Sequence, residues 1–240
     1  MNVVKQIASR EEMDAAYRAM VIRLMTRQFL AEMATCEVFG KCIQLAPTWR
    51  ERARLAQFAA EEAEHSQSVA VLLEDLGVPV DDLLRKRGRA AEFFGVAGEL
   101  AEWVDAVAFN FVVDRAGSYQ LMTYRGNSYH PWARTMEKIL SEEEDHQSHG
   151  TLELRRLCAD PTNKARAQLY IDRILPETMK RAFGRPNREA NEYCLRTGLK
   201  TRTTEDIQRA YLEEMTGLCR ECGLSVPDLR GTGLLLGGGV

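Results

Sequence analysis

From residue 11 to residue 45 apolar residues recur at helical spacing, among them Tyr17, Met20, Leu24, Leu30 and Met33, and no proline interrupts before Pro47. This predicts one long helix or two collinear ones, opened by a Ser9-x-x-Glu12 capping box. Thr48 can cap a second helix with Glu51 at its third position, running from about Trp49 to Leu76 and closed by Gly77 and Pro79. Residues 77–97 lack periodicity and read as a crossover along the bundle. A third helix is predicted from about Glu99 to Tyr124. Gly126-Asn127-Ser128 then makes a turn, and Pro131 sits in the first turn of a fourth helix that continues to about Cys158. Helices from about Asn163 to Phe183 and Thr204 to Glu221 would cover the bundle. The pattern is all-α: a four-helix bundle with additional C-terminal helices.

The stripes are interrupted by charge. Helix two carries Phe58, Glu62, His65, Val69 and Leu72 on one face. Helix four carries Ile139, Glu143, His146 and Gly150, and helix three Val107, Phe111, Asp114, Gly117 and Leu121. A carboxylate on a buried stripe is costly unless paired or bound to a metal. Both Glu-x-x-His stretches, 81 residues apart, put an acid and an imidazole on one helical face. In antiparallel hairpins, residues equidistant from the turn lie level. The midpoint of Glu37 and Glu62 is 49.5 and that of Asp114 and Glu143 is 128.5, each beside a turn. By this count Glu37 and Asp114 complete the set and Glu32 misses the level. Glu37, Glu62, His65, Asp114, Glu143 and His146 then form the ligand set of a ferritin-like di-iron centre, as metal ligands and as the catalytic site. Carboxylate and imidazole suit Fe(II) and Mn(II), so two Fe ions, two Mn ions or a mixed pair fit. Glu61 and Glu142 are candidates to accept the second N–H of each histidine. His149 reads as a polar neighbour, and His130 as solvent-facing. Gly40 and Gly117, three residues after Glu37 and Asp114, either open a substrate channel or let helices pack closely.

Composition narrows the partners. A net charge of −3 gives no electrostatic case for nucleic acid or an anionic membrane. The run Arg85-Lys86-Arg87-Gly88-Arg89 reads as a solvated loop, with contact to an anionic ligand or a partner as the functional alternative. Cys219-x-x-Cys222 has no companion pair, so a structural zinc site is not expected. No apolar run suits a signal peptide or a membrane span, which predicts a cytoplasmic protein with reduced thiols.

The stretches Cys36-Glu37-Val38-Phe39-Gly40, Glu62-Ala63-Glu64-His65, Val113-Asp114, Glu143-Glu144-Asp145-His146-Gln147 and Leu224-Ser225-Val226-Pro227-Asp228 closely resemble the catalytic-subunit family of bacterial phenylacetyl-CoA epoxidases. The resemblance runs from about Tyr17 to Asp228. It implies a di-iron monooxygenase that takes O2 as co-substrate and oxygenates a CoA thioester, with an electron-donating reductase and a related ferritin-like subunit, or a second copy, as partners. The chain ends sooner than that family's catalytic subunit. Residues 1–228 are expected as a single ferritin-like domain and 229–240 as a flexible Gly- and Leu-rich tail. A ferritin- or rubrerythrin-type protein that handles iron or removes peroxide, and a scaffold subunit of an oxygenase complex, are the alternative readings.

Overall fold

The computed structural model describes residues 5–87, 100–184 and 187–229. Within these the protein is all-α, a ferritin-like helical bundle with no strand among the described residues. Helix α1 spans Ala15–Leu45 and α2 Trp49–Asp75; a short α3 follows at Val80–Arg87. The third long element is composite, with α4 at Trp103–Phe109, a π-helical turn at Asn110–Asp114, and α5 at Arg115–Met122. Helix α6 spans His130–Leu157 and α7 Pro161–Thr178, extended by a second π turn at Met179–Phe183. Helices α8, Arg188–Thr197, and α9, Thr204–Glu221, complete the order.

Local chemistry explains most boundaries. Asp14 caps α1 by accepting from the Tyr17 N–H at 2.8 Å. The expected Ser9–Glu12 box is instead a single 3-10 turn at Arg10–Glu12, without a side-chain cap at Ser9. Thr48 caps α2 through the Glu51 N–H, as its spacing suggests. Gly77, at φ +81°, ends α2 where a left-handed residue is needed, and the Val78 N–H reaches back to the Leu73 carbonyl. The basic run expected in a loop begins inside α3, and Gly88 and Arg89 lie outside the described residues, as does the stretch Phe93-Phe94-Gly95. Residues 230–240, most of the expected tail, also lie outside them. No helix among the described residues is long and apolar enough to cross a membrane.

Two apolar cores divide the bundle along its axis. One gathers Val38, Phe39, Phe58, Phe109, Phe111, Leu154 and Tyr211. The other gathers Val21, Met25, Phe29, Leu73, Trp132 and Met136. On all four long elements the sequence between the two sets carries the buried charges: Glu32 on α1, Glu62 and His65 on α2, Asp114 at the head of α5, and Glu143 and His146 on α6. The polar layer is thus closed at both ends by hydrocarbon.

The π turn depends on a close approach. A Cβ at Gly150 of α6 would stand 2.5 Å from Asn110 Oδ1 and 3.0 Å from the Phe111 nitrogen, so only glycine admits this contact without displacement. Tyr211 of α9 donates to the Val112 carbonyl at 2.8 Å, and Arg115 Nε donates to that of Phe111 at 3.3 Å. The carbonyls that a π turn leaves poorly paired are thereby satisfied. Arg115 also binds Gln147, Thr151 and Glu214, clamping α5 to α6 and α9.

Candidate metal centre

Six side chains meet in the polar layer: Glu32, Glu62, His65, Asp114, Glu143 and His146, none more than 5% exposed. Their donor atoms fall into two groups, Glu32–Glu62–His65–Glu143 and Glu62–Asp114–Glu143–His146, with the atoms of each within 4.8 Å of one another. Glu62 and Glu143 belong to both groups. The cluster could hold metal, and its two groups share two carboxylates and have one acid and one imidazole at each outer end.

Glu37 is not part of it. The connection Ala46–Thr48 is centred on Pro47, and Glu32 and Glu62 each lie fifteen residues from that centre. Glu37 lies ten residues away, hence lower on the hairpin, and five helical positions turn it about 140° from Glu32. Glu37 is only partly buried, whereas Glu32 is 5% exposed. The midpoint of 49.5 misplaced the level by more than two residues. Asp114 enters the cluster without such symmetry. It precedes the centre of its own connection, Gly126, by twelve residues, and Glu143 follows by seventeen.

Each histidine presents Nδ1 inward. His65 Nδ1 faces Glu143 at 3.5 Å and Glu32 at 3.9 Å; His146 Nδ1 faces Glu62 at 3.3 Å and Asp114 at 3.7 Å. Outward, His65 Nε2 bonds Glu142 at 2.8 Å and His146 Nε2 bonds Glu61 at 2.9 Å. The acid preceding each Glu-x-x-His therefore holds the histidine of the other one. A carboxylate at Nε2 accepts the N–H there and orients the ring, so that Nδ1 is the nitrogen available to a cation once its own proton is displaced. Both Nδ1 atoms and both Glu62 oxygens are buried with no hydrogen-bond partner. Unpartnered buried polar atoms are expensive in a folded protein, and cations are the partners that the donor set fits.

The electrostatics agree. Burial, then repulsion from Glu143, Glu32 and Asp114, pushes Glu62 well above the carboxylate range. Burial also raises Glu32, and burial with the Glu143 charge lifts Asp114 to about 7. Glu143 moves the other way: burial is outweighed by His65, His146 and the Ser118 hydroxyl, which donates to it at 2.6 Å. His65 is raised to about 9 because Glu143 and Glu32 overcome its burial, and His146 is raised by Asp114, Glu143 and Glu61. Four carboxylates crowd two imidazoles, and two divalent cations would supply the four missing positive charges.

Other candidates fall elsewhere. His149 bonds Glu51 and Asn110 and stays out of the cluster; His130 is exposed. Gly117 borders a cavity of about 50 Å³ between α1 and α5, whereas Gly40 is exposed and does not. The cavity runs from Glu32, Glu62, Asp114 and Glu143 to Arg27 and Arg181. Cys219 and Cys222 are buried free thiols. Periodicity did not disclose Gln28, Asn110 or Trp132, which surround the cluster; the visible signal was an amide four residues before each outer acid, Gln28 before Glu32 and Asn110 before Asp114.

The chain is 26% identical over 230 residues to one component of the 1,2-phenylacetyl-CoA epoxidase of Escherichia coli (strain K12), covering 92% of this chain and 73% of that protein. It is also 26% identical over 145 residues to benzoyl-CoA oxygenase component B of Aromatoleum evansii, covering 57% of this chain but only 31% of the relative. The family model for phenylacetic acid catabolic proteins matches residues 1–234, and the chain belongs to that family.

Proposed function

We propose that the protein is a di-iron oxygenase that uses O2 to oxygenate an organic substrate carried as a CoA thioester. The observation that carries this is the buried set of four carboxylates and two imidazoles, in two groups sharing Glu62 and Glu143, with four donor atoms lacking any partner. Both relatives are oxygenases or epoxidases of CoA esters. Glu32 and His65 would hold one ion, Asp114 and His146 the other, with Glu62 and Glu143 between them. A reduced iron pair supplies the electrons that activate O2. Glu142 and Glu61 anchor Nε2 of each histidine so that Nδ1 faces the cluster and would bind an ion once its proton is displaced; Ser118 fixes Glu143, and the two apolar cores exclude bulk water. The test is metal analysis, followed by mixing the reduced protein with O2 and a panel of CoA thioesters. Two irons per chain and a product heavier by one oxygen support the reading. O2 consumption without any oxygenated product favours iron or peroxide handling instead.

The cavity supplies the substrate side. Its volume of about 50 Å³ holds a few water-sized molecules beside the carboxylates. Gly117 borders it, and a Cβ there would meet nothing within 4 Å. Gly117→Leu is therefore expected to fold and keep two ions while losing roughly tenfold or more in kcat/KM, since hydrocarbon replaces substrate space. Unchanged turnover with bound metal would place the substrate elsewhere.

Its outer end is cationic. Arg27 and Arg181 line it, and Lys200 Nζ lies 5.7 Å from the ring centre of Tyr124, another lining residue. Burial, together with Arg27 and Arg23, lowers Lys200 to about 8. Arg181 is paired with Glu177 at 3.0 Å and Arg27 donates to the Arg181 and Ala182 carbonyls, but neither Arg27 nor Lys200 has a carboxylate within salt-bridge distance among the described residues. Phosphate groups of a CoA ester suit such a rim. The double variant Arg27→Gln/Lys200→Gln is expected to raise KM for the thioester roughly tenfold or more with little change in kcat, because charge-assisted contacts are lost from binding alone. Steady-state kinetics at two salt concentrations checks it.

A further inference from the structure

The two outer carboxylates are held by the same device. Gln28 Nε2 donates to Glu32 Oε1 at 3.1 Å, and Asn110 Nδ2 donates to Asp114 Oδ2 at 3.0 Å, each from four residues earlier. A carboxylate only accepts, so each amide must turn its NH2 toward the acid and its oxygen away. Each amide oxygen then meets a ring nitrogen from α6. Trp132 Nε1, which can only donate, lies 2.8 Å from Gln28 Oε1, and His149 Nδ1 lies 3.3 Å from Asn110 Oδ1. Gln28, Asn110 and Trp132 are all buried.

Beyond the rings the two chains differ. Trp132 is fully buried, and its single N–H is already used, so the first chain ends in hydrocarbon. His149 has a second nitrogen, and Nε2 meets Glu51 Oε2 at 2.9 Å. The Glu51 side chain is 22% exposed, so the second chain reaches solvent. The Gly150 contact fixes this chain, because it seats α6 directly against Asn110.

We propose that Gln28 and Asn110 are positioning residues for the two ion positions and that they make those positions inequivalent. The Glu32–His65 position is closed by the dry chain Glu32–Gln28–Trp132. The Asp114–His146 position is tied to the surface through Asp114–Asn110–His149–Glu51. This rests on the two-ion reading above. Each amide holds one carboxylate oxygen in place, so little reorganisation accompanies ion binding; cutting a chain should loosen its own position and spare the other.

The test is a Mn(II) titration of the metal-free full chain, following the EPR signal of free aqua Mn(II) and the spectrum of the bound ions. Wild type is expected to take up two equivalents. Trp132→Phe, which keeps a ring and removes the N–H, is expected to weaken one equivalent about 10–100-fold. His149→Phe should weaken the other one, and the double variant both. Glu51→Gln, at the surface and safe for folding, should shift the His149-sensitive equivalent in the same direction by a smaller factor. The proposal is overturned if Trp132→Phe and His149→Phe weaken the same equivalent, if either weakens both alike, or if neither changes any affinity by twofold. Wild type binding fewer than two equivalents would instead overturn the two-ion reading itself.

Discussion

Glu62→Leu is expected to bind neither ion and yet, without metal, to melt above the metal-free wild type. Glu62 belongs to both donor groups, so its loss strips a shared carboxylate from each ion. The effect should exceed the roughly 10–100-fold that follows loss of an outer hydrogen-bond partner, and oxygenation should fall to background. Stability moves the other way because neither Glu62 oxygen has a hydrogen-bond partner and three other acids crowd it. Removing an unsatisfied buried polar group relieves about 1–3 kcal/mol, and leucine fills the space. In a chain of this size each kcal/mol is worth about 2–4 °C in Tm. Metal analysis and calorimetry of both apo proteins check the two signs together. A variant that retains two ions, or melts below apo wild type, would remove Glu62 from the shared position. Glu32→Ala and Glu37→Ala form the companion comparison: the first should lose metal, and the second should keep both ions.

Metal-free protein is expected to lose stability as pH rises from about 4 to about 9, while the metal-loaded form gains on it throughout. Asp114 carries the first part. Its unfolded value is near 3.8 and its folded value about 7, so between these the unfolded chain releases a proton that the folded chain retains. Unfolding is thus favoured increasingly up to pH 7, by on the order of 4 kcal/mol for this group. Glu62 and Glu32, also raised, add in the same direction. His65, raised to about 9, stabilises the fold fully below pH 6.5 and loses that contribution as pH climbs through 9. Glu143, lowered, opposes the trend only at the acid end, where its contribution disappears as pH falls through its folded value. Ions displace these protons, so apparent metal affinity must rise over the same window. Thermal melts of apo and loaded protein at several pH values measure the gap. An apo Tm that rises steadily from pH 5 to 8 would contradict the charge crowding.

The long helices and most of the polar layer were legible because both rest on local rules. Thr48, Gly77 and Pro131 mark boundaries by cap and turn chemistry, and α9 runs from Thr204 to Glu221 as its spacing suggests. Glu-x-x-His stretches stand out because charge on an apolar stripe needs a reason, and Glu61 and Glu142 do meet the histidines. Their crosswise pairing was not legible, since it depends on how the hairpins dock. Glu32 was lost to a midpoint placed two and a half residues too late; the hairpin centre at Pro47 selects it over Glu37. Both π turns were invisible to a 3.6-residue period, because one extra residue in a turn shifts the face without changing composition. Helices α3 and α8, of 8 and 10 residues, were too short to show a period against polar surroundings.

The crossed histidine anchors carry a consequence for assembly. Each donor group takes three residues from one hairpin and one from the other, and each imidazole leans on an acid across that divide. Neither hairpin owns a complete binding place. On the two-ion reading, high-affinity uptake would have to wait until the two halves have docked, and the ions would then favour chains already correctly closed over chains still open.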